Sequence, residues 1–209
     1  QNPHMHLFEA CLALHAATGS AEALARAGAL HRLAIAHFLD PASGALREEY
    51  DDAWRVHPAP GAGRVEPGHL FEWAWLLRCY EANSGWAQSL PVSRLLDLAI
   101  RRGLDRSSGR IIDEIGEDGH VRRASSRSWP HAEALKALST EAIKQTFSDD
   151  LLLIAILNRL CTVYIPDDLD GLWIDHVDST DAPLPLNVPA SSLYHIYFGI
   201  TSVTSIYTT

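Results

Sequence analysis

Three segments of the chain set a histidine beside an acid or an aromatic ring. They are Asn2-Pro3-His4-Met5-His6-Leu7-Phe8-Glu9, Glu66-Pro67-Gly68-His69-Leu70-Phe71-Glu72-Trp73 and Pro189-Ala190-Ser191-Ser192-Leu193-Tyr194-His195. Histidine can both take up and release a proton near neutral pH. Three of them in helical segments, with aromatic rings around them, point to acid/base chemistry on an uncharged molecule, and a sugar fits that description.

His6 lies three residues before Glu9, so the two share a helix face. There the carboxylate can hold the imidazole in one tautomer or bind a sugar hydroxyl. His69 falls near the third position of a helix opened by Glu66-Pro67. The helix dipole at that point favours the neutral ring a general base needs, while Glu72 one turn on pulls the other way. His195 sits in the second turn of the last helix. Each pattern also fits a bland role: a surface histidine with a neighbouring acid, a ring packed on Trp73, a half-buried helical histidine. Arg127-Ser128-Trp129-Pro130-His131-Ala132-Glu133 brings a guanidinium, an indole and an acid to another helix start. Indole faces stack on sugar C–H faces, and Arg and Glu bind hydroxyls, although a packing staple with a surface ion pair reads the same way. Trp173 offers a similar ring in a loop.

Other chemistries lack their residues. His4 and His6 are two apart and face different sides of a helix. Neither His-Glu-x-x-His nor a zinc-spaced cysteine pair occurs, so no metal site is expected. No Gly-x-Ser-x-Gly elbow and no phosphate-cradling glycine loop is found.

The elements that must position these residues read as helices. Pro3 starts one that Gly19 stops, and Ser20 caps a second that runs to Asp40-Pro41. Residues 43–65 break into Gly, Pro and short β-like pieces. Pro67 and Pro91 open two further helices, and Arg110–Ile115 with His120–Arg122 form a hairpin about Asp118-Gly119. Trp129-Pro130 begins a helix to about Thr146, Ser148-Asp149 caps the next, a loop covers 166–189, and a last helix starts near Ala190. Seven helices with small hairpins in the loops make an all-α layout, a toroid of α-hairpins with its site at the loop-rich end.

Of the 209 residues, 47% are hydrophobic and the formal charge is −9, which argues against nucleic-acid and anionic-membrane surfaces. The longest apolar run, Leu151–Leu157, is far too short to span a bilayer. Three dispersed cysteines, Cys11, Cys79 and Cys161, read as reduced core thiols and fit a cytoplasmic protein.

Taken together, Asn2–Ala10, Glu66-Pro67-Gly68-His69 with Glu72–Leu77, Arg127-x-Trp129-Pro130 with Glu133, Gly171-x-Trp173 and Pro189–His195 resemble the N-acylglucosamine 2-epimerase superfamily, which includes cellobiose 2-epimerases and mannose isomerases. The motifs follow the family order along nearly the whole chain. The last segment leans toward the mannose-isomerase or mannose-6-phosphate-isomerase-like branch. The resemblance implies an (α/α)6 barrel, of which residues 1–209 form a single partial domain matching the C-terminal half, without an upstream half that holds a pocket arginine. It implies His69 and His195 as an acid/base pair, His6 as a third pocket histidine that helps ring opening or binds a hydroxyl, and Glu66 and Glu72 orienting His69. Glu9, Glu66, Glu72, Arg127, Trp129 and Trp173 are the implied sugar contacts. His131 departs from the glutamine of many relatives and is given no role.

The activity so implied is a sugar isomerase or 2-epimerase that moves hydrogen as a proton through an enediol, with no cofactor. Arg122, Arg123 and Arg127 could meet a substrate phosphate or form a solvated hairpin surface. The expected partner is a small sugar, with a homodimer as the assembly to test. Two alternatives stand: a glycoside hydrolase using Glu66 and Glu133 as paired carboxylates, and an inactive carbohydrate-binding piece.

Overall fold

A computed structural model describes residues 1–56, 63–86, 89–146, 149–185 and 187–207. Among them are seven α-helices: α1 (Asn2–Thr18), α2 (Ala21–Leu33), α3 (Pro67–Ser84), α4 (Ser89–Leu98), α5 (Ser128–Ile143), α6 (Asp150–Arg159) and α7 (Ser192–Tyr207). Helices α2, α4 and α6 each run on into one wider π-type turn, at Ala34–Phe38, Ala99–Gly103 and Leu160–Tyr164.

The helix ends follow their sequence signals. Pro3 and Pro67 lie in the first turns of α1 and α3, where a missing N–H costs nothing. Gly19 and Gly85 close the same helices in the left-handed region, at φ 72° and 73°. The Ser20 hydroxyl accepts from the Ala23 N–H at 3.2 Å. The Asp149 carboxylate likewise accepts from the Leu152 N–H at 3.0 Å, while Ser148 lies outside the described residues. Three expected boundaries move. Helix α4 begins at Ser89, so Pro91 sits inside its first turn; α5 ends at Ile143; α7 starts at Ser192.

Helices pair as α1 with α2, α3 with α4 and α5 with α6, and the first members then stack side by side in the order α1, α3, α5, α7. Helix α3 is buried on nearly every side, with His69, Glu72 and Arg78 among its buried residues. Phe8, Phe38, Phe71, Trp73, Leu76, Leu135, Leu138 and Tyr164 fill the space between the layers and are fully buried. Two glycines allow close approach inside the inner layer. A Cβ on Gly68 would meet the Trp129 ring at 2.5 Å, and one on Gly199 would meet Ala132 Cα at 2.7 Å.

The expected single hairpin over 110–122 divides between two small sheets. Strand β3 (Arg110–Ile111) pairs with β2 (Leu104–Asp105), while β4 (Glu114–Gly116) pairs with β5 (Val121–Arg123) and with β1 (Arg64–Val65). Gly119 turns the β4–β5 hairpin at φ 78°. In the expected loop, β7 (His176–Val177) pairs with β6 (Ser126–Arg127), which leads directly into α5. All three cysteines are free, but only Cys11 is a core residue; Cys79 is half-buried and Cys161 is exposed. The outer surfaces of α1 and α7 carry exposed Leu7, Leu14, Leu193, Tyr197 and Phe198. No described helix is long and apolar enough to cross a membrane.

Candidate active site

The N-terminal ends of the four inner helices converge on a cleft of about 200 Å³. It is lined by Asn2 and His6 of α1, His69 and Glu72 of α3, Trp129 of α5, and Ser192 and His195 of α7, with Glu66, Arg127 and Ser191 from the adjoining loops and strand. Seven of the sequence-expected residues therefore meet in one place: His6, Glu66, His69, Glu72, Arg127, Trp129 and His195.

The two principal histidines are held alike. Nδ1 of His69 lies 3.0 Å from both carboxylate oxygens of Glu48. Nδ1 of His195 lies 2.5 Å from Oε1 of Glu133. An Nδ1–H that donates to a carboxylate leaves the lone pair of a neutral ring on Nε2. Neither Nε2 has a protein partner among the described residues. The two residues are 6% and 8% exposed, so each is open to little beyond the cleft. Trp129 stands beside both, with its ring centroid 5.1 Å from that of His69 and 5.7 Å from that of His195. His6 joins the group from α1, 6.3 Å from the His195 ring.

Glu48 was not foreseen. It comes from the irregular stretch before β1, where no helical or strand period marks an inward residue. The expected orienters do other work: Glu66 accepts from Arg127 at 2.8 Å, and Glu72 lies 3.7 Å from Nδ1 of His6. Glu48 is itself fixed by the side-chain amide of Gln1 at 2.7 Å and the Glu66 N–H at 3.3 Å. Burial alone would lower the pKa of His69, but the charge and hydrogen bonds of Glu48 outweigh it and hold the pKa above the ordinary histidine value. The same pairing holds Glu48 below the usual carboxylate range despite its burial.

Behind His195 lies a second buried set of charges. Lys136, fully buried, donates to Glu133 at 3.0 Å, stands 3.6 Å from Glu9, and rests its ammonium 3.7 Å from the centre of the Trp75 ring. Burial opposes its charge, but Glu133 and Glu9 raise its pKa on balance. Glu9 therefore lies one turn behind His6, against Lys136, rather than on the cleft wall. The signal for this set was present: Glu133 and Lys136 interrupt an otherwise apolar run on α5, and charges buried there need partners.

Arg127 is anchored twice, donating from Nε to Asp113 at 3.0 Å and from its Nη2 to Glu66 at 2.8 Å. Asp113 also accepts from Ser125 and contacts His176 at 2.7 Å. Arg123 pairs with Glu114 on the hairpin. Trp173 does not line the cleft, and its buried indole N–H has no partner among the described residues. His131 proves to be a fold residue. Its Nδ1 donates to the Arg127 carbonyl at 2.8 Å, its Nε2 accepts from the Ile111 N–H at 3.1 Å, and burial drives its pKa down to about 3. Three compact carboxylate–histidine groups occur among the described residues, Glu48/Glu66/His69, Glu72/Glu133/His195 and His6/Glu9/Glu72. In each, a carboxylate already faces a protein cation, Arg127 or Lys136.

The model of the family described as N-acylglucosamine 2-epimerase matches residues 1–199. The chain belongs to that family. It is 35% identical over 205 residues to a mannose-6-phosphate isomerase of Rhizobium meliloti (strain 1021), covering 95% of this chain and 53% of that protein. The crystal structure of a D-mannose isomerase superposes with a TM-score of 0.80 at 24% identity, over 98% of this chain and 56% of the other. A cellobiose 2-epimerase from Bacillus thermoamylovorans B4167 gives 0.76 at 18% identity, over 96% and 53%. These neighbours share the (α/α)6-barrel fold, and the chain spans about half the length of the relatives it matches. Membership makes this a protein of the sugar isomerase and epimerase family.

Proposed function

We propose that the protein interconverts an aldose with its ketose, or with its C2 epimer, by proton transfer between His69, His195 and an open-chain sugar. The observation that carries this reading is the pair of imidazoles on separate helices, each with Nδ1 on a buried carboxylate and both beside the Trp129 ring.

The C2 proton of an aldose is acidified by the C1 carbonyl. One neutral imidazole removes it through Nε2, giving an imidazolium and an enediolate whose charge the neighbouring donors stabilise. Return of a proton to C1 gives the ketose. Return to C2 from the opposite face, by the second ring, gives the epimer. Trp129 offers a face for the sugar ring, and Arg127 a guanidinium for its hydroxyls. Each well-placed transfer contributes roughly 10²–10⁴-fold.

The cleft favours an unphosphorylated sugar. Arg127, the single Lys or Arg lining it among the described residues, is already matched by Glu66 and Asp113. A phosphate calls for unmatched cations. Paired-carboxylate hydrolysis finds less support, because Glu66 is bound to Arg127, and Glu133 to His195 and Lys136.

Incubation of the full chain with mannose in heavy water tests the reading. Deuterium should enter C1 or C2 of the recovered sugar, and His69→Ala and His195→Ala should each abolish the exchange while sugar still binds. Recovery of unlabelled mannose would refute the mechanism.

A further inference from the structure

One helical turn past Glu133, a full positive charge is buried in the inner layer. Lys136 has no exposed surface, and its ammonium lies 3.0 Å from Oε1 of Glu133 and 2.8 Å from Oε2. Oε1 is also the atom that holds Nδ1 of His195. Around the ammonium stand Glu9 from α1, with Glu72 and the Trp75 ring from α3. The two principal imidazoles therefore differ in what backs their carboxylates. The side chain of Glu48 is held by the Gln1 amide and the Glu66 N–H, whereas that of Glu133 is held by a cation. Of the three acids that share this cation, Glu133 is the nearest to it, at 2.8 Å against 3.6 Å for Glu9, and has no exposed surface. A carboxylate so placed takes up a proton if its counter-ion is withdrawn.

We propose that Lys136 is a positioning residue for His195: paired with Glu133, it keeps that carboxylate an acceptor and so keeps the free lone pair of the ring on Nε2. Lys136 lines no part of the cleft, and it acts only through Glu133. With the ammonium in place, Oε1 of Glu133 accepts from the ring, and the neutral imidazole carries its hydrogen on Nδ1. Without it, the Glu133–His195 pair gains one proton from solvent. If that proton settles on the carboxyl, the acid becomes the donor toward Nδ1 and the ring hydrogen moves to Nε2. If it settles on the ring, an imidazolium forms. Nε2 carries a hydrogen either way, and the ring loses its lone pair although no atom of the cleft wall has been replaced.

Nitrogen NMR of the full chain carrying isotope-labelled histidine reads this proton directly, and the spectrum of His195→Ala assigns the signal. At neutral pH, Nε2 of His195 should resonate as an unprotonated nitrogen in the wild type and as a protonated one in folded Lys136→Met. In the same variant, kcat for deuterium exchange into mannose should fall about 10²-fold while KM changes little. A purely structural lysine would lower the folded fraction and leave the ring nitrogen as it was. An unprotonated Nε2 in folded Lys136→Met, or a protonated one in the wild type, overturns the proposal. A second measurement needs no variant: with labelled lysine, Lys136 of the wild type should appear as an ammonium protected from exchange with water, and a neutral amine there also overturns the proposal. The kinetic arm rests on the isomerase reading. If the wild type leaves mannose unlabelled in heavy water, that reading fails, while the nitrogen spectra still decide whether Lys136 sets the tautomer of His195.

Discussion

Glu48 reaches across 21 residues of sequence to hold Nδ1 of His69, with both of its oxygens at 3.0 Å. Because the carboxylate accepts there, Nε2 of His69 is free to act as a base toward the cleft. Glu48 lines no part of that cleft, so it acts only through the ring it holds.

Glu48→Gln should therefore lower kcat for deuterium exchange by about 10²-fold and leave KM nearly unchanged. Glu48 holds the pKa of His69 up, so its removal should also carry the acid limb of the kcat/KM profile to lower pH. A purely structural role would leave that limb in place, and an unmoved limb would show that Glu48 does not tune His69.

Lys136→Met should destabilise the protein by roughly 3–5 kcal/mol, since it strands Glu133 and Glu9 beside a buried thioether in place of their cation. Urea titration at pH 7 reads the difference. A midpoint equal to that of the wild type would mean that Lys136 is not the counter-charge of this set.

His131 links the fold to acidity. Its pKa in the folded protein lies near 3 against an ordinary value of 6.5, so the unfolded chain binds a proton at a pH where the folded one does not. Its contribution is present above pH 6.5 and is lost as the pH falls toward 3. Between wild type and His131→Gln, the stability gap should shrink by about 1.4 kcal/mol for each pH unit below the ordinary histidine value. Denaturant midpoints at pH 7, 6 and 5 measure it, and a gap that stays constant would refute the assignment.

The family motifs made seven cleft residues legible because each sits at a helix start, where proline and capping signals are strong. Pro67 fixes the phase of His69 and Glu72, and Trp129 follows from the start of α5. Glu48 and Asp113 were hidden for the opposite reason. Both lie in short irregular segments whose inward direction is set by tertiary pairing of two- and three-residue strands. Ser89 and Ser192 displaced the expected helix starts by two residues, within the ordinary spread of helix ends. Trp173 read as a pocket ring from its type and from the Gly171-x-Trp173 motif, but the β6–β7 pairing follows it and the cleft is lined without it.

Gly199 stands one helical turn beyond His195, and Ala132 immediately precedes Glu133. The backbone contact between the two small residues and the hydrogen bond between His195 and Glu133 are therefore adjacent rungs of one helix–helix seam. Main chain, rather than flexible side chain, gauges how far His195 stands from its counterpart on α3. A methyl group added at position 199 would pry that seam open and widen the seat of the substrate without altering a single polar atom in it.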